Sequence, residues 1–125
     1  RALETLRLEK GYRAWSTDIT PGDTPWEAGL GWAVKLEANT PFLGRDALQR
    51  AGAAPLRKRM AGFLVDDPEA VLLGRETILR DGQAVGYLTS GGYGHTLGCG
   101  IGYGYVRHAD GVAEDWLTGG AYALD

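Results

Sequence analysis

At 125 residues and 13.4 kDa, the sequence has the length of one small domain, which excludes a multidomain enzyme within these residues. Thirteen Lys and Arg against 16 Asp and Glu give a formal charge of −3, leaving no basic excess to neutralise a phosphate backbone, so nucleic acid is not an expected partner. There is no apolar run of roughly 18 residues, so no membrane partner is expected either. Read in chain order, residues 1–10 place Ala2, Leu3, Leu6 and Leu8 mostly on one helical face, with Gly11 as the stop. This reads as the end of a helix, and the opening as the middle of a longer protein. Residues 15–26 hold Asp18, Thr20, Pro21, Gly22, Asp23, Thr24 and Pro25, a cluster that predicts an irregular structured loop. Alternation at Trp32, Val34 and Leu36 predicts a half-buried strand over 31–36, and Phe42, Leu43, Ala47 and Leu48 predict a short helix over 42–51 stopped by Gly52.

The pattern then changes from helical to period two, which places a boundary near residues 52–56 and divides the chain into 1–54 and 55–125. Met60 to Asp66 reads as a strand closed by Asp67 and Pro68. Two β-like runs, 76–80 and 83–90, are separated by Asp81-Gly82 alone, the strongest short-range hairpin signature because a type I′ turn needs positive φ at both central residues. In the next strand, 99–106, Gly100, Gly102 and Gly104 line one face with Gly98 before them, while Cys99, Ile101, Tyr103 and Tyr105 line the other. Such bare backbone implies that another layer or a crossing side chain packs directly on it. Residues 113–123 read as a closing strand. The expected fold class is α+β: a short helix-containing segment followed by a small antiparallel β-barrel.

Motifs for chemistry are sparse. The glycines fit neither GxGxxG nor GxxxxGK[ST], which argues against a phosphate cradle. Ser90, His95 and Asp110 are nominal triad residues, yet Ser90 lies in Thr-Ser-Gly-Gly without the GxSxG elbow. His95 and His108 have no Cys or carboxylate at ligand spacing, so no metal site is expected. The run Arg57-Lys58-Arg59 reads most simply as a solvated linker or strand start. Cys99 cannot form an internal disulfide and reads as an inert buried thiol; the expected location is cytoplasmic. More informative is the first third, where Tyr12, Trp15, Trp26 and Trp32 gather around the Pro-rich loop with Arg7, Glu9, Arg13, Asp18 and Glu27. Flat rings with hydrogen-bonding groups suit a wall for a flat ligand, although ordinary packing of aromatics over a core is the simpler account.

RLEKGYRAW at 7–15, DIT at 18–20, TPWEAGLGW at 24–32 and VK at 34–35 resemble the folate-binding segment of the aminomethyltransferase family, which includes the glycine-cleavage T-protein. PFLGRDAL at 41–48, RDGQAVGYLTSGGYG at 80–94 and GCGIGYGYV at 98–106 resemble its C-terminal barrel. EKGYRAW with TSGGYG is most similar to the folate-dependent half of bacterial sarcosine and dimethylglycine dehydrogenases or oxidases. The resemblance implies a tetrahydrofolate-dependent domain behind a FAD-binding amine-oxidising domain. There an N-methyl amine becomes an iminium whose carbon is captured by tetrahydrofolate. The expected partners are therefore reduced folate and the upstream folate and FAD domains of the same parent. In relatives the assisting carboxylate and the acidic residue gripping the pterin precede the position of Arg1, so no catalytic residue and no turnover are expected of this piece alone. Trp32 is carried over as a folate-wall residue, Glu27 as a structural or supporting one, with Tyr12 and Arg13 beside them. Where T-proteins have an arginine for the folate tail this chain has Leu3, leaving Arg13 or Arg59 as substitutes. The alternative is a non-catalytic scaffold barrel packed against the dehydrogenase domain. A folate-sensing or RNA-maturation branch is disfavoured by the acidic balance.

Overall fold

A computed structural model describes residues 2–125; Arg1, where the predicted first helix begins, lies outside the described residues. Helix α1 spans Ala2–Glu9, and Gly11 ends it with a left-handed φ of 70°. Of its predicted apolar face only Leu8 is buried; Leu3 and Leu6 point to solvent. The predicted strand over 31–36 does not form. Gly31–Ala33 is a single 3-10 turn, because no other strand runs beside this segment to take its hydrogen bonds and Trp32 and Lys35 stay in the turn, Lys35 Nζ reaching Trp32 O. Helix α2 is Arg45–Gly52, three residues later than predicted at its start, with Gly44 as N-cap at φ 86°. Leu43 is left fully exposed, so Phe42 and Leu43 contribute nothing to an apolar face on α2.

Five strands follow: β1 Lys58–Leu64, β2 Thr77–Arg80, β3 Gln83–Gly94, β4 Cys99–Arg107 and β5 Tyr122–Leu124. They form one antiparallel sheet in the order β1-β4-β3-β2-β5. The β2–β3 hairpin turns on Asp81 (φ 50°) and Gly82 (φ 79°), the two positive values that a type I′ turn demands. The predicted closing strand 113–123 is instead helix α3, Glu114–Thr118, followed by the three-residue β5; acidic Glu114 and Asp115 sit in the helix's first turn, and Gly119-Gly120 separate the two.

In a flat five-stranded sheet the outermost strands would stand roughly 19 Å apart, at about 4.8 Å per strand. Here Phe63 on β1 packs on Tyr122 of β5 with ring centroids 5.4 Å apart. The sheet is therefore curled into a barrel whose seam is closed by side chains and not by a ladder. Leu72, Ile78, Leu88, Val106 and Val112 fill its interior. Gly102 of β4 faces this interior, where a Cβ would strike the Leu88 and Leu72 side chains, while a Cβ on Gly104 would meet the backbone of β3, 2.8 Å from Leu88 Cα. The expectation of a layer packed on bare backbone thus holds, and that layer is the barrel's own core.

The opposite face of β4 and β1 is also covered. Ile101, Tyr105 and Met60 are buried there with Leu8 of α1 and Ala28 of the following loop. Burying each large apolar side chain in this layer contributes about 1.5–3 kcal/mol. Tyr103 and Tyr105 donate their phenol hydrogens to Leu8 O (3.0 Å) and Asp18 O (2.9 Å), so the amphipathic rings of β4 seat α1 and the loop on the barrel.

Candidate functional site

The first 33 residues carry two structures of different character against the barrel: a buried polar hub around Asp18 and an open aromatic hollow around Trp32.

Asp18 is only 1% exposed. Its carboxylate receives Arg7 Nη1 (2.5 Å) and the Ala14 amide (2.9 Å) on Oδ2, and the hydroxyls of Thr89 and Ser90 (both 2.6 Å) on Oδ1. Arg7 Nη2 also donates to Ser90 Oγ at 2.8 Å, closing a ring of three groups. Adjacent residues of a regular strand point to opposite faces, so Thr89 and Ser90 should not share an acceptor. They do because β3 is bulged against β4 between Leu88 and Ser90, leaving Thr89 extra and turning both hydroxyls to the outer face. Burial pushes the Asp18 carboxyl up, but the Ala14 amide, both hydroxyls and Arg7 outweigh it and hold it below the usual carboxylate range. Burial alone would lower the Arg7 guanidinium; Glu4 and Asp18 together raise it. No buried polar side-chain atom is unsatisfied among the described residues, so the hub is chemically closed. Ser90 is thereby committed to Asp18 and Arg7, while His95 lies edge-on to Tyr93.

The hollow, about 400 Å³, lies between the Tyr12 turn and the Leu30–Trp32 turn, with Lys10 and Ile19 on its rim. Three of the four residues singled out from the sequence meet here: Tyr12, Arg13 and Trp32. Tyr12 and Trp32 are 66% and 76% exposed, large rings left for a partner or ligand to cover. Glu27 is elsewhere; its carboxylate accepts the Thr24 amide (2.8 Å) and hydroxyl (3.2 Å) and stands 3.9 Å from Lys58 Nζ. Trp26 is structural: its indole N–H donates to Leu48 O at 2.9 Å, tying the loop to α2. A separate hollow of about 660 Å³ lies between Trp26, Leu36, Gln49, Leu56 and Arg59, and none of the four candidates lines it.

The basic run is a strand start, as expected, since β1 begins at Lys58, but it is not simply solvated. Lys58 pairs with Asp23 at 2.5 Å and Arg59 with Glu114 at 2.8 Å, so both charges are matched within the fold. Cys99 is a free thiol and half-buried rather than buried. Among the described residues, no helix is long and apolar enough to cross a membrane, and no group of three or more His, Cys, Asp or Glu is placed to hold a metal ion.

Comparison with known proteins fits this geometry. Residues 58–124 match the family described as "Glycine cleavage T-protein C-terminal barrel domain", and residues 1–38 match the "GCVT N-terminal domain". The chain belongs to the glycine cleavage T-protein C-terminal barrel family. It is 42% identical, across its whole length, to mouse (Mus musculus) mitochondrial sarcosine dehydrogenase, of which it spans 14%. It is 40% identical over 94% of its length to the aminomethyltransferase of Halothermothrix orenii, spanning 32% of that protein. The aminomethyltransferase T of the Bartonella henselae glycine cleavage system superposes with a TM-score of 0.73 at 30% identity, over 85% of this chain and 30% of that one.

Proposed function

We propose that this chain is the C-terminal part of a tetrahydrofolate-dependent methylene- or aminomethyl-transfer protein, the folate half of an FAD-linked sarcosine or dimethylglycine dehydrogenase or oxidase. The observation that carries the reading is the meeting of Tyr12, Arg13 and Trp32 in one hollow directly after α1, within the segment that matches the GCVT N-terminal domain. A reduced folate fits that donor set chemically. Its planar aminopyrimidinone ring suits the two exposed aromatic rings, and Lys10, which lines the hollow, suits its anionic tail. Reduced folate supplies the acceptor for the one-carbon unit; these residues bind and orient it and contribute no proton-transferring group. The proposal divides the chain at 54/55 into the end of the folate domain and the barrel. It also takes the upstream folate and FAD domains as partners and gives no turnover to this piece alone. A cytoplasmic location belongs to the same proposal, with a mitochondrial one, suggested by the mouse relative's name, as the outcome that fractionation of the parent would distinguish.

Titration with 5-formyltetrahydrofolate is expected to quench tryptophan fluorescence saturably in this chain, and Trp32→Ala to abolish the response. No quenching by this chain, shown folded by circular dichroism, would place binding in the upstream domains, and no binding by the full-length parent either would remove the folate reading. It would leave the scaffold reading, which the self-satisfied Arg7–Asp18–Ser90 ring favours.

A further inference from the structure

Arg13 is one of the two expected substitutes for the folate-tail arginine, but its guanidinium is bound to backbone carbonyls. Nε donates to Ala28 O (3.1 Å), Nη1 to Gly11 O (2.5 Å), and Nη2 lies 3.5 Å from Gly29 O. Gly11 adjoins Tyr12 where α1 ends, and Ala28 and Gly29 close the turn over 25–29 that leads directly into Leu30 and the 3-10 turn carrying Trp32. Both glycines have left-handed φ, 70° and 68°, and a Cβ on Gly29 would lie 2.9 Å from Arg13 Nη2. The two turns therefore shape their backbones to the guanidinium and offer it their carbonyls, which a planar fork of five donors can join at once.

Resting on the folate reading, we infer that Arg13 is a positioning residue: it spans the two turns and fixes the distance between the Tyr12 and Trp32 walls, and so the thickness of ring the hollow admits. Its side chain also forms the partition between this hollow and a neighbouring one beside Met60, Phe63 and Tyr122. A guanidinium bound to carbonyls on both sides has few donors left for a ligand carboxylate. The ligand class selected by this spacing is a planar heteroaromatic ring, and the selection does not depend on the anionic tail.

The test pairs 5-formyltetrahydrofolate with 5-formyl-6-methyltetrahydropterin, the same ring system without the aminobenzoate and glutamate and so without a carboxylate. Calorimetry is expected to show that Arg13→Ala weakens both by the same factor, about tenfold, the value of one well-placed hydrogen bond. Arg13→Lys, which keeps one point donor, should fall between. In a chain labelled with 5-fluorotryptophan, Arg13→Ala should shift the Trp32 fluorine resonance, assigned by Trp32→Phe, even without ligand. The Trp116 resonance should stay in place. Ile78→Val, a change inside the barrel, controls for lowered stability and should move neither resonance nor affinity. A loss confined to the glutamate-bearing ligand would overturn the inference by making Arg13 a tail contact, as would an unmoved Trp32 resonance. If neither this chain nor the full-length parent binds either ligand, the folate reading falls, and the resonance alone decides whether Arg13 holds the walls apart.

Discussion

Asp18→Asn is expected to destabilise the fold by about 3–5 kcal/mol, the cost of breaking a buried ion pair by removing one partner. The asparagine keeps only one acceptor oxygen, so its NH2 would present hydrogens either to Thr89 and Ser90 or to Ala14 and Arg7, which already point theirs there, and the Arg7 side chain, itself only 10% exposed, would lose its buried counter-charge and keep only the exposed Glu4. Because a domain of this size has about 5–15 kcal/mol in total, the variant should sit near the folding threshold. The pH dependence has a defined sign. A carboxyl held below its ordinary value in the folded state contributes fully above the unfolded value of about 3.9, and that contribution shrinks as the pH falls below it. It is gone once the pH passes the folded value. Asp23, Glu76 and Glu9 are also held low, so Asp18→Asn should flatten only part of the acid limb. Urea unfolding at pH 7 and across pH 2–5 checks both statements (the range follows from the ~3.9 reference). A loss under about 1 kcal/mol, the scale of a single ordinary hydrogen bond, would show that the hub is not holding the two parts together.

Gly104→Ala should have an effect of similar size by a different route. The added methyl would meet Tyr87 O inside contact distance and Leu88 Cα at 2.8 Å. Both are backbone atoms of the neighbouring strand, so no rotamer change relieves the clash, and β3 must part from β4 where Leu88 faces Gly104. Overpacking of this kind costs about 1–3 kcal/mol when side chains can yield, and the upper end or beyond is expected here. Gly22→Ala is the matched control: its Cβ would meet only Thr20 Oγ1 at 3.5 Å, an ordinary contact, and stability should stay within about 0.5 kcal/mol. Thermal unfolding of the two variants side by side decides the matter, and equal midpoints would refute the close-approach account of β4.

The hairpin was readable from sequence because its signal is local: Asp81-Gly82 dictates its own dihedral angles. The glycine face of β4 was readable for the same reason, since alternation is a property of the strand itself. By contrast, 31–36 alternates like a strand and lacks a partner to pair with, which only the tertiary fold reveals. In 113–123 the Gly119-Gly120 break divides a helix from a short strand, a division that the segment's apolar spacing does not show. The hollow was partly legible because Tyr12, Arg13 and Trp32 lie close in sequence. The hub was not legible. Asp18 looked like one more turn residue, and its partners Thr89 and Ser90 lie 71 and 72 positions away. What joins them is a bulge that no residue type announces. The one available signal was Arg7 and Asp18 together in the motif-bearing segment, two opposite charges beside an otherwise apolar helix face.

The loop carbonyl at Glu27 has a bearing on how the molecule behaves in a crowded solution. Met60 N–H, which turns away from β4, donates to Glu27 O at 2.7 Å. By the alternation of an antiparallel ladder, Lys58, Gly62 and Leu64 turn the same way, so this one bond interrupts the row of outward amides that a second chain would need as a template. At the other margin β5 is only three residues long and offers little to copy. Loosening the 24–30 loop would therefore surface first as strand-to-strand self-association at high concentration, while the barrel interior stayed intact.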